Sequence, residues 1–261
     1  MKFSIVIAAF NAEKEIARTL ESTLNQTYSD YEVIVVNDAS TDSTPDIVAG
    51  FDRVRLINNE INMKAGGSRN RGIEAANGEY IIFLDSDDIL ASNDVLEKVA
   101  KAIEEKGDTD LVYVGMDSSD KERNLIPNAH NSIKEIRLVE WTYANVCDVC
   151  WNKEFLNKNN IRFVEHRFFE DFPFYYEGLL KSESYNFVEF PVITYTRNRA
   201  DSMTTKFNMQ KIIDYYSNMM VLSELYMKTE DKYKEGLWQA IIRQHKNIEF
   251  YMLNMRRDEN D

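Results

Sequence analysis

Short runs of apolar residues alternate with segments of helical spacing in the first 90 residues of the chain. The clearest run is Tyr80–Leu84, which has no polar alternation. A strand of this kind is usually covered on both faces, as in the middle of a parallel sheet flanked by helices. Earlier runs at residues 3–9, 32–37 and 53–57 also predict strands. Their alternation with helices predicts an α/β fold with a mostly parallel sheet built through right-handed crossovers.

Polar residues, Pro and Gly predict where the helices between these strands begin. Asn11 is predicted to cap the first helix, because its side chain can accept a hydrogen bond from a first-turn N–H group. Thr44 is predicted to cap the second helix, with Pro45 as its first residue. The Gly66–Gly67 pair is predicted to form a loop before a third helix at residues 68–76.

Polar side chains follow three of the predicted strands. Asn11, Asp38 and Asp85 each come at or just after the end of an apolar run. The carboxyl ends of parallel strands point to one edge of the sheet, which is where ligands bind in open α/β folds. The three side chains are therefore predicted to converge, and this convergence favours a nucleotide or a phosphorylated ligand.

The residues after the central strand form an acidic turn, Asp85-Ser86-Asp87-Asp88. Three carboxylates this close repel one another unless a cation or a set of donors neutralises them. Mg²⁺ and Mn²⁺ suit such hard oxygen ligands and bridge readily to substrate phosphates. The alternative for an isolated turn of this kind is a solvated surface with a helix cap at Ser86 or Asp87.

The second half of the chain has fewer regular runs. Residues 93–105 predict an amphipathic helix, residues 110–116 a strand, and the polar residues 117–137 a surface loop, a lid or an acceptor contact. Residues 187–196 predict a last strand, in which Pro191 indicates an edge or a bulge.

Two pairs of polar residues in this half of the chain are candidates for a functional site. Glu170 and Asp171 lie among phenylalanines, as helix-cap acids or as acids in a partly desolvated cleft, where their basicity rises. Arg199 and Ser202 follow the last strand. An arginine beside hydroxyl groups can bind phosphate or can be solvated surface.

The chain from residue 208 onward has apolar residues at helical spacing. Such a two-helix tail is typical of a cap packed on the main domain or of an element that forms a homo-oligomer. The predicted seam consists of Ile212, Tyr216, Met219, Met220, Ser223 and Leu225 in the first helix and of Leu237, Ile241, Ile248, Tyr251, Met252 and Met255 in the second.

Composition narrows the class of protein. The 261 residues are 44% hydrophobic and carry a net charge of −13, which is unfavourable for nucleic-acid partners because phosphates would be repelled. No apolar run approaches the length of a membrane span. Cys147 and Cys150 are not accompanied by a second cysteine pair or a histidine cluster, as in a zinc site, or by the context of a thioredoxin-like motif. We therefore expect them to be reduced thiols. We expect a cytoplasmic protein, with peripheral docking at the inner face of the membrane as the alternative.

Three classes of enzyme place acids after a buried strand. A P-loop NTPase needs an upstream GxxxxGK[ST] motif, which this chain lacks. A haloacid-dehalogenase-like phosphatase places its acids on the first strand, whereas here they follow the fourth. The remaining class is a nucleotide-sugar glycosyltransferase.

The chain resembles the family 2 inverting glycosyltransferases across residues 1–204. The order and spacing of the matched motifs are highly specific together. They are SIVIAAFNAEKEIARTLES from Ser4, VIVVNDASTDST from Val33, GGSRNRGIEAANGEYIIFLDSDD from Gly66, WNKEF from Trp151, FFEDFPF from Phe168 and RADSMT from Arg199. One difference is that the family's usual R-x-G-S pattern has Asp201 in place of the glycine.

The resemblance implies roles for individual positions. Asp171 would be the catalytic base, which leaves Glu170 to face hydrogen-bond donors or solvent. Mn²⁺ or Mg²⁺ would be held by Asp87 and Asp85. The nucleotide-sugar would contact Ala9, Asn11, Asp38 (through the base, a uracil N–H), Arg69, Asp85, Ser86, Asp87, Arg199 and Ser202.

The resemblance also implies the fold and the activity. We expect a Rossmann-like GT-A domain over residues 1–205, with a nucleotide-binding half at 1–88 and an acceptor half at 89–205, followed by a helical extension at 206–261. The expected activity is metal-dependent, inverting transfer of a hexose or N-acetylhexosamine from a UDP-sugar to a glycan, polyol-phosphate or lipid-linked acceptor in cell-surface polysaccharide synthesis. The alternative is a catalytically silent nucleotide-sugar or glycan-binding module in a larger assembly.

Overall fold

A computed structural model describes residues 1–118, 145–196 and 208–258. Its central feature is one mixed sheet. The strands are β1 (Phe3–Ala9), β2 (Tyr31–Asn37), β3 (Val54–Asn58), β4 (Tyr80–Asp85), β5 (Ile89–Leu90), β6 (Leu111–Ser118), β7 (Val149–Asn152) and β8 (Tyr185–Tyr195). Their order in the sheet is β3-β2-β1-β4-β7-β6-β8-β5. The strands β1 to β4 pair in parallel, β7 runs antiparallel to both β4 and β6, and β6 and β8 are parallel. The predicted α/β fold with a mostly parallel sheet is confirmed.

Helices flank the sheet and follow its strands in the order that the apolar pattern predicts. They are α1 (Ile16–Leu24), α2 (Thr44–Ala49), α3 (Lys64–Ala75), α4 (Val95–Lys106), α5 (Lys153–Lys158), α6 (Asp171–Lys181), α7 (Met209–Lys228) and α8 (Asp231–Asp258). None of them, over the part of the chain that the structure describes, is both long enough and apolar enough to cross a membrane.

The central strand β4 is covered on both faces, as its apolar run predicts. Residues 80–84 are all buried. Phe83 packs edge-on against Phe163 and Phe174, whose rings stack with their centroids 3.8 Å apart. Trp151 of β7 packs against the ring of Phe174. This aromatic cluster fixes the start of α6 against the sheet.

Three predicted helix starts differ from the structure, and for α1 and α3 the reason is a tertiary contact. α1 begins at Ile16 rather than after Asn11, because Asn11 turns with φ 50° and its side chain accepts a hydrogen bond from Thr41 in the next loop instead. Gly66 and Gly67 lie inside α3 rather than in a loop. A Cβ atom at Gly66 would lie 2.4 Å from the Val164 carbonyl oxygen, so the glycine permits close packing rather than a turn. α2 begins at Thr44 rather than at Pro45, one residue earlier than predicted, and Ser43 is the residue before its first turn.

Other predictions in the second half agree with the structure where it is described. Pro191 lies at a break in the β6–β8 register, opposite Gly115, which confirms the bulge. Cys147 and Cys150 are both buried and free, and burial raises the pKa of each thiol above its ordinary value. Most of the predicted loop at residues 117–137 lies outside the described residues.

The C-terminal extension forms two helices, as predicted. The predicted seam is confirmed in part, because Ile212, Leu237, Ile241 and Ile248 are buried, but it is wrong for part of α7. Tyr216 and Met220 are 42% and 65% exposed, whereas Tyr215 and Leu222 are buried. The apolar residues of α7 lie on both sides of the helix, so their spacing alone did not identify the inner side. Homo-oligomer formation through these helices stays a prediction, as does the division at residues 205 and 206.

Candidate active site

The ends of three parallel strands bring the predicted nucleotide-contacting residues to one edge of the sheet. Ala9 pairs with Asn37, and Ala8 pairs with Asp85, so the segments after β1, β2 and β4 start side by side. The Ala9 carbonyl accepts a hydrogen bond from the Asp38 N–H group at 2.8 Å. The predicted convergence of Asn11, Asp38 and Asp85 therefore follows from the observed register.

Asn11 joins the first two of these loops. Its backbone N–H donates to Ser40 Oγ at 3.0 Å, and its Oδ1 accepts from the Thr41 N–H at 2.9 Å. The positive φ of Asn11 is a conformation that Asn adopts more readily than most residues. The loop after β1 is thus held against the loop after β2.

Asp38 is buried, and it uses one oxygen to organise the loop before α3. Oδ1 accepts from Asn59 Nδ2 at 2.7 Å and from the Met63 N–H at 2.8 Å. Its Oδ2 has no protein donor among the residues that the structure describes. Oδ2 can therefore accept a hydrogen bond from an N–H group of a ligand.

Arg69 on α3 connects the acidic turn to the start of α6. Its Nη2 lies 2.9 Å from Asp85 Oδ1, and its Nη1 lies 2.5 Å from Glu170 Oε1. Burial opposes the charge on Arg69, but the carboxylates of Asp85 and Glu170 raise the pKa of this guanidinium above its ordinary value. Glu170 is expected to face either hydrogen-bond donors or solvent. It is buried and faces a donor, Arg69.

The acidic turn could hold a divalent cation. Ligand oxygens of Asp85, Asp87 and Asp88 all lie within 4.8 Å of one another. Asp88 is fully buried, and its Oδ2 accepts no hydrogen bond within the described ranges. Burial, followed by the charges of Asp85 and Asp87, raises the pKa of Asp88 to about 8. A buried carboxylate oxygen without a donor, beside two further carboxylates, fits the oxygen ligands that Mg²⁺ and Mn²⁺ prefer.

Helix α1 supports the backbone of the acidic turn. Thr19 Oγ1 donates to the Ser86 carbonyl at 2.9 Å, and Arg18 donates to the Asp87 carbonyl at 2.9 Å. Arg18 also donates to Thr196 Oγ1 at 2.7 Å, and the Thr196 N–H donates to Asp88 Oδ1 at 2.8 Å. These contacts hold Thr196, the residue that follows β8, against the acidic turn. Arg199 and Ser202, which come next, lie outside the described residues.

The segment that leads to α6 is held against α3. Asn70 Nδ2 donates to the Phe163 carbonyl, and Asn70 Oδ1 accepts from the Phe163 N–H, both at 2.9 Å. Gly66 faces the same segment, because a Cβ atom there would approach the Val164 carbonyl oxygen to 2.4 Å and Glu170 Cγ to 2.9 Å. α3 thus sets the position of both acids at the start of α6.

We expect Gly66→Ala to reduce activity by displacing this segment. The backbone carbonyl of Val164 cannot rotate away as a side chain could, so the added methyl group moves residues 164–170. Overpacking of this kind typically costs about 1–3 kcal/mol of folding free energy. Thermal unfolding and transfer rate measure the two effects. Gly50→Ala is the control, because a Cβ atom there would lie 3.2 Å from its nearest neighbour, the Ile47 carbonyl oxygen. Gly107→Ala is unsuitable, because the φ of Gly107 is 90° and a side chain there would strain the backbone. Equal behaviour of Gly66→Ala and Gly50→Ala would contradict the expectation.

Asp171, the predicted base, is the first residue of α6 and is partly buried. Burial, and next the charge of Glu170, raises the pKa of Asp171 to about 7. A general base works best with a pKa near the operating pH. Phe169 and Phe172 stack with their ring centroids 6.2 Å apart, and both pack on Tyr215 of α7.

Several residues of the site carried no signal in the sequence pattern. Asn59 and Arg18 contact the predicted site residues Asp38 and Asp87 from distant positions in the chain. Asn70 contacts Phe163 and Glu165 in the segment that leads to α6. Asn70 and Arg69 lie within the GGSRNRG motif, so the motif marked the segment without indicating which atoms each side chain binds. The partnership of Arg69 with Glu170 spans 101 positions and has no local signature.

Comparison with known proteins places the chain in a family. The family model described as "Glycosyl transferase family 2" matches residues 4–168. Glycosyltransferase GlyG of Streptococcus pneumoniae serotype 4 is 28% identical over 236 residues, which cover 82% of this chain and 78% of GlyG. The UDP-Glc:alpha-D-GlcNAc-diphosphoundecaprenol beta-1,3-glucosyltransferase WfaP of Escherichia coli is 41% identical over 98 residues, which cover 37% of this chain and 39% of WfaP.

Solved structures show the same fold. The crystal structure of S. aureus TarS 1-349 in complex with UDP-GlcNAc superposes with a TM-score of 0.79 at 24% identity, covering 94% of this chain and 73% of the TarS chain. At that identity the likeness concerns the fold, which is the GT-A arrangement expected from the motifs. Because the family match spans more than half of the 261 residues, the chain belongs to glycosyl transferase family 2.

Proposed function

We propose that this protein transfers a sugar from a UDP-sugar to an acceptor hydroxyl group with inversion at the anomeric carbon. The observation that carries the proposal is the connection Asp85–Arg69–Glu170, which ends beside Asp171. It joins the acidic turn, suited to a metal and a diphosphate, to a carboxylate whose pKa of about 7 suits a general base. This connection supports binding and proton transfer at one edge of the sheet.

The reaction uses the residues of this chain in two ways. Asp171 accepts the proton of the acceptor hydroxyl as its oxygen bonds to the anomeric carbon. The bond from that carbon to the UDP oxygen breaks, and UDP leaves with the electron pair. Asp171 and the departing diphosphate lie on opposite sides of the anomeric carbon in such a single displacement, so its configuration inverts.

Asp87 and Asp85 would hold Mn²⁺ or Mg²⁺, with Asp88 beside them. When bound, the cation offsets the charge that develops on the leaving diphosphate. Arg69 holds Asp85 through Oδ1, which leaves the second oxygen of Asp85 for a ligand. The orphaned Oδ2 atom of Asp88 supports a third carboxylate contribution to the site.

The donor and acceptor classes are supported by relatives. WfaP is named for a UDP-Glc donor and a diphosphoundecaprenol-linked acceptor, and TarS is described with UDP-GlcNAc. We infer a UDP-hexose or UDP-N-acetylhexosamine donor and a glycan, polyol-phosphate or lipid-linked acceptor in cell-surface polysaccharide synthesis. A cytoplasmic enzyme, or one docked at the inner face of the membrane, would meet both substrates.

Asp38→Asn is expected to lower the affinity for UDP without altering the fold. The amide oxygen can still accept from Asn59 and Met63, whereas the NH₂ group replaces the acceptor that would receive the uracil N–H. Loss of a hydrogen bond to a charged group costs about 1.5–3 kcal/mol, or roughly 10- to 100-fold in Kd. Calorimetric titration with UDP measures this change. Manganese pyrophosphate is the control ligand, and an equal loss of its affinity would show that Asp38 does not bind the base.

A panel of nucleotide sugars tests the proposed function. Thermal unfolding is followed with UDP-Glc, UDP-GlcNAc, UDP-Gal, GDP-Man and CDP-glycerol, each with and without Mn²⁺. A ligand that binds the native state raises Tm, and at equal concentration a tighter ligand raises it more. The expected result is a Mn²⁺-dependent shift with a UDP-sugar, followed by release of UDP when an acceptor is added. A larger shift with a non-uridine nucleotide would overturn the donor assignment.

The alternative function is a catalytically silent nucleotide-sugar or glycan-binding module. It predicts the same thermal shift but no donor hydrolysis and no transfer to any acceptor. The presence of carboxylates at positions 85, 87 and 171 favours the enzyme.

A further inference from the structure

Helix α7 contacts the backbone immediately before the proposed catalytic base. Asp214 Oδ2 accepts a hydrogen bond from the Phe168 N–H at 3.0 Å. Asn218 Nδ2 donates to the carbonyl oxygens of both Phe168 and Phe169, each at 2.8 Å. Asp214 and Asn218 are buried and stand one turn apart on the same face of α7. Two side chains of the C-terminal extension thus bind three backbone polar groups of one short segment.

The segment that they hold has an unfavourable backbone conformation. Phe169 has a φ of 61°, in the left-handed region that bulky residues rarely adopt. Such a conformation persists only where surrounding contacts fix it. The next two residues are Glu170, the partner of Arg69, and Asp171. A change in the Phe169 turn would therefore redirect both acids.

We propose that Asp214 and Asn218 are positioning residues for sugar transfer, which fix the Phe168–Phe169 turn and so set the orientation of Asp171. This inference rests on the proposed function, in which Asp171 is the base. It assigns the C-terminal helices a part in catalysis, although the family match ends at residue 168.

The environment of Asn218 supports this assignment. Its Oδ1 atom is buried and accepts no hydrogen bond from the described residues. A buried acceptor without a donor is unfavourable, and an apolar side chain of similar size would avoid it. The amide at this position is explained by the two carbonyl groups that it binds.

Four variants separate positioning from stability. Asn218→Leu and Asp214→Leu remove the hydrogen bonds and keep a branched side chain with the same number of non-hydrogen atoms. Asp214→Asn keeps an oxygen that accepts from the Phe168 N–H and should restore function. Tyr215→Phe is the matched control, because it removes a buried hydrogen bond from α7 to Gln244, at 2.7 Å to its carbonyl, without contacting the backbone of the turn.

The measurements are kcat and KM for transfer, the Kd of UDP and hydrogen exchange of the segment around Phe168. The two leucine variants should lower kcat by roughly 10- to 100-fold, as expected for small misplacement of a reacting group. The Kd of UDP should not change. The amide of Phe168 should exchange faster in Asp214→Leu but not in Tyr215→Phe.

Two results would overturn the proposal. One is a wild-type kcat in both leucine variants with faster exchange, which would show that the turn does not set the base. The other is an equal loss of kcat in Tyr215→Phe and Asn218→Leu at equal loss of Tm, which would show a role in stability alone. Absence of transfer by the wild-type protein would instead refute the proposed function, and exchange at Phe168 would still show whether α7 holds the turn.

Discussion

Asp171→Asn is expected to lower the rate of sugar transfer by roughly 100-fold or more, the usual contribution of general-base catalysis. The amide keeps the size of the side chain but cannot accept a proton at neutral pH. Affinity for the donor should hardly change, because Asp171 takes no part in the ion pairs of Arg69 with Asp85 and Glu170. Steady-state kinetics with the donor identified by the thermal panel, together with calorimetry for UDP, measure the two effects.

The dependence of this reaction on pH distinguishes a base from a helix cap. Burial raises the pKa of Asp171 to about 7, so the wild-type rate should rise with pH up to that value. Asp171→Asn should lose this rise. If Asp171 acted only as a cap, the substitution would leave both Tm and the pH profile nearly unchanged, because Asn is itself an effective cap.

The same shift determines the sign of the effect on stability. The folded state keeps a proton on Asp171 that the unfolded chain releases near an ordinary Asp pKa of about 3.9. Stability from this protonated form is fully present below that pH and is lost as pH rises to about 7. The Asn variant has no such ionisation, so at neutral pH its Tm should not fall below that of the wild type.

Glu170→Gln is the companion variant for the assignment of the base. Glu170 is buried 2.5 Å from Arg69, so its substitution leaves a buried guanidinium with one carboxylate partner fewer and should lower Tm. Transfer at near wild-type rate in Asp171→Asn, combined with loss of transfer in Glu170→Gln, would make Glu170 the base.

The parallel half of the fold was predictable because its signal is local. The residues of β4 are buried on both faces, and a strand of that kind has an uninterrupted apolar run that is visible without any partner. Parallel pairing places the carboxyl ends of these strands at one edge of the sheet, so the apolar pattern is enough to predict that Asp38 and Asp85 lie at the same edge.

The details of the site were not predictable because they depend on contacts between distant residues. Gly66 resembles a loop residue in sequence, and only the approach of the Val164 carbonyl explains a glycine within α3. Asp214 and Asn218 are ordinary polar residues on a helix until the Phe168–Phe169 turn is seen against them. Neither contact produces a periodic pattern along the chain.

Asp87→Asn is expected to weaken Mn²⁺-dependent binding of UDP by roughly 10- to 100-fold or more, since loss of even an outer-shell partner of a metal typically costs that much. The neutral amide loses the charge that would hold the cation against the diphosphate. The backbone carbonyl of Asp87 still accepts from Arg18, so the acidic turn should keep its conformation. Calorimetric titration of UDP with and without Mn²⁺ measures the change.

The control for this variant is Asp46→Asn, which makes the same change of charge at an exposed position in the first turn of α2. It should leave UDP binding unaltered with and without Mn²⁺. Asp85→Asn should differ from both, because it removes a carboxylate partner of Arg69 and should lower Tm as well as metal affinity. Unchanged Mn²⁺-dependent affinity in Asp87→Asn would remove Asp87 from the metal site. Loss of UDP affinity without Mn²⁺ would indicate that Asp87 binds the nucleotide directly.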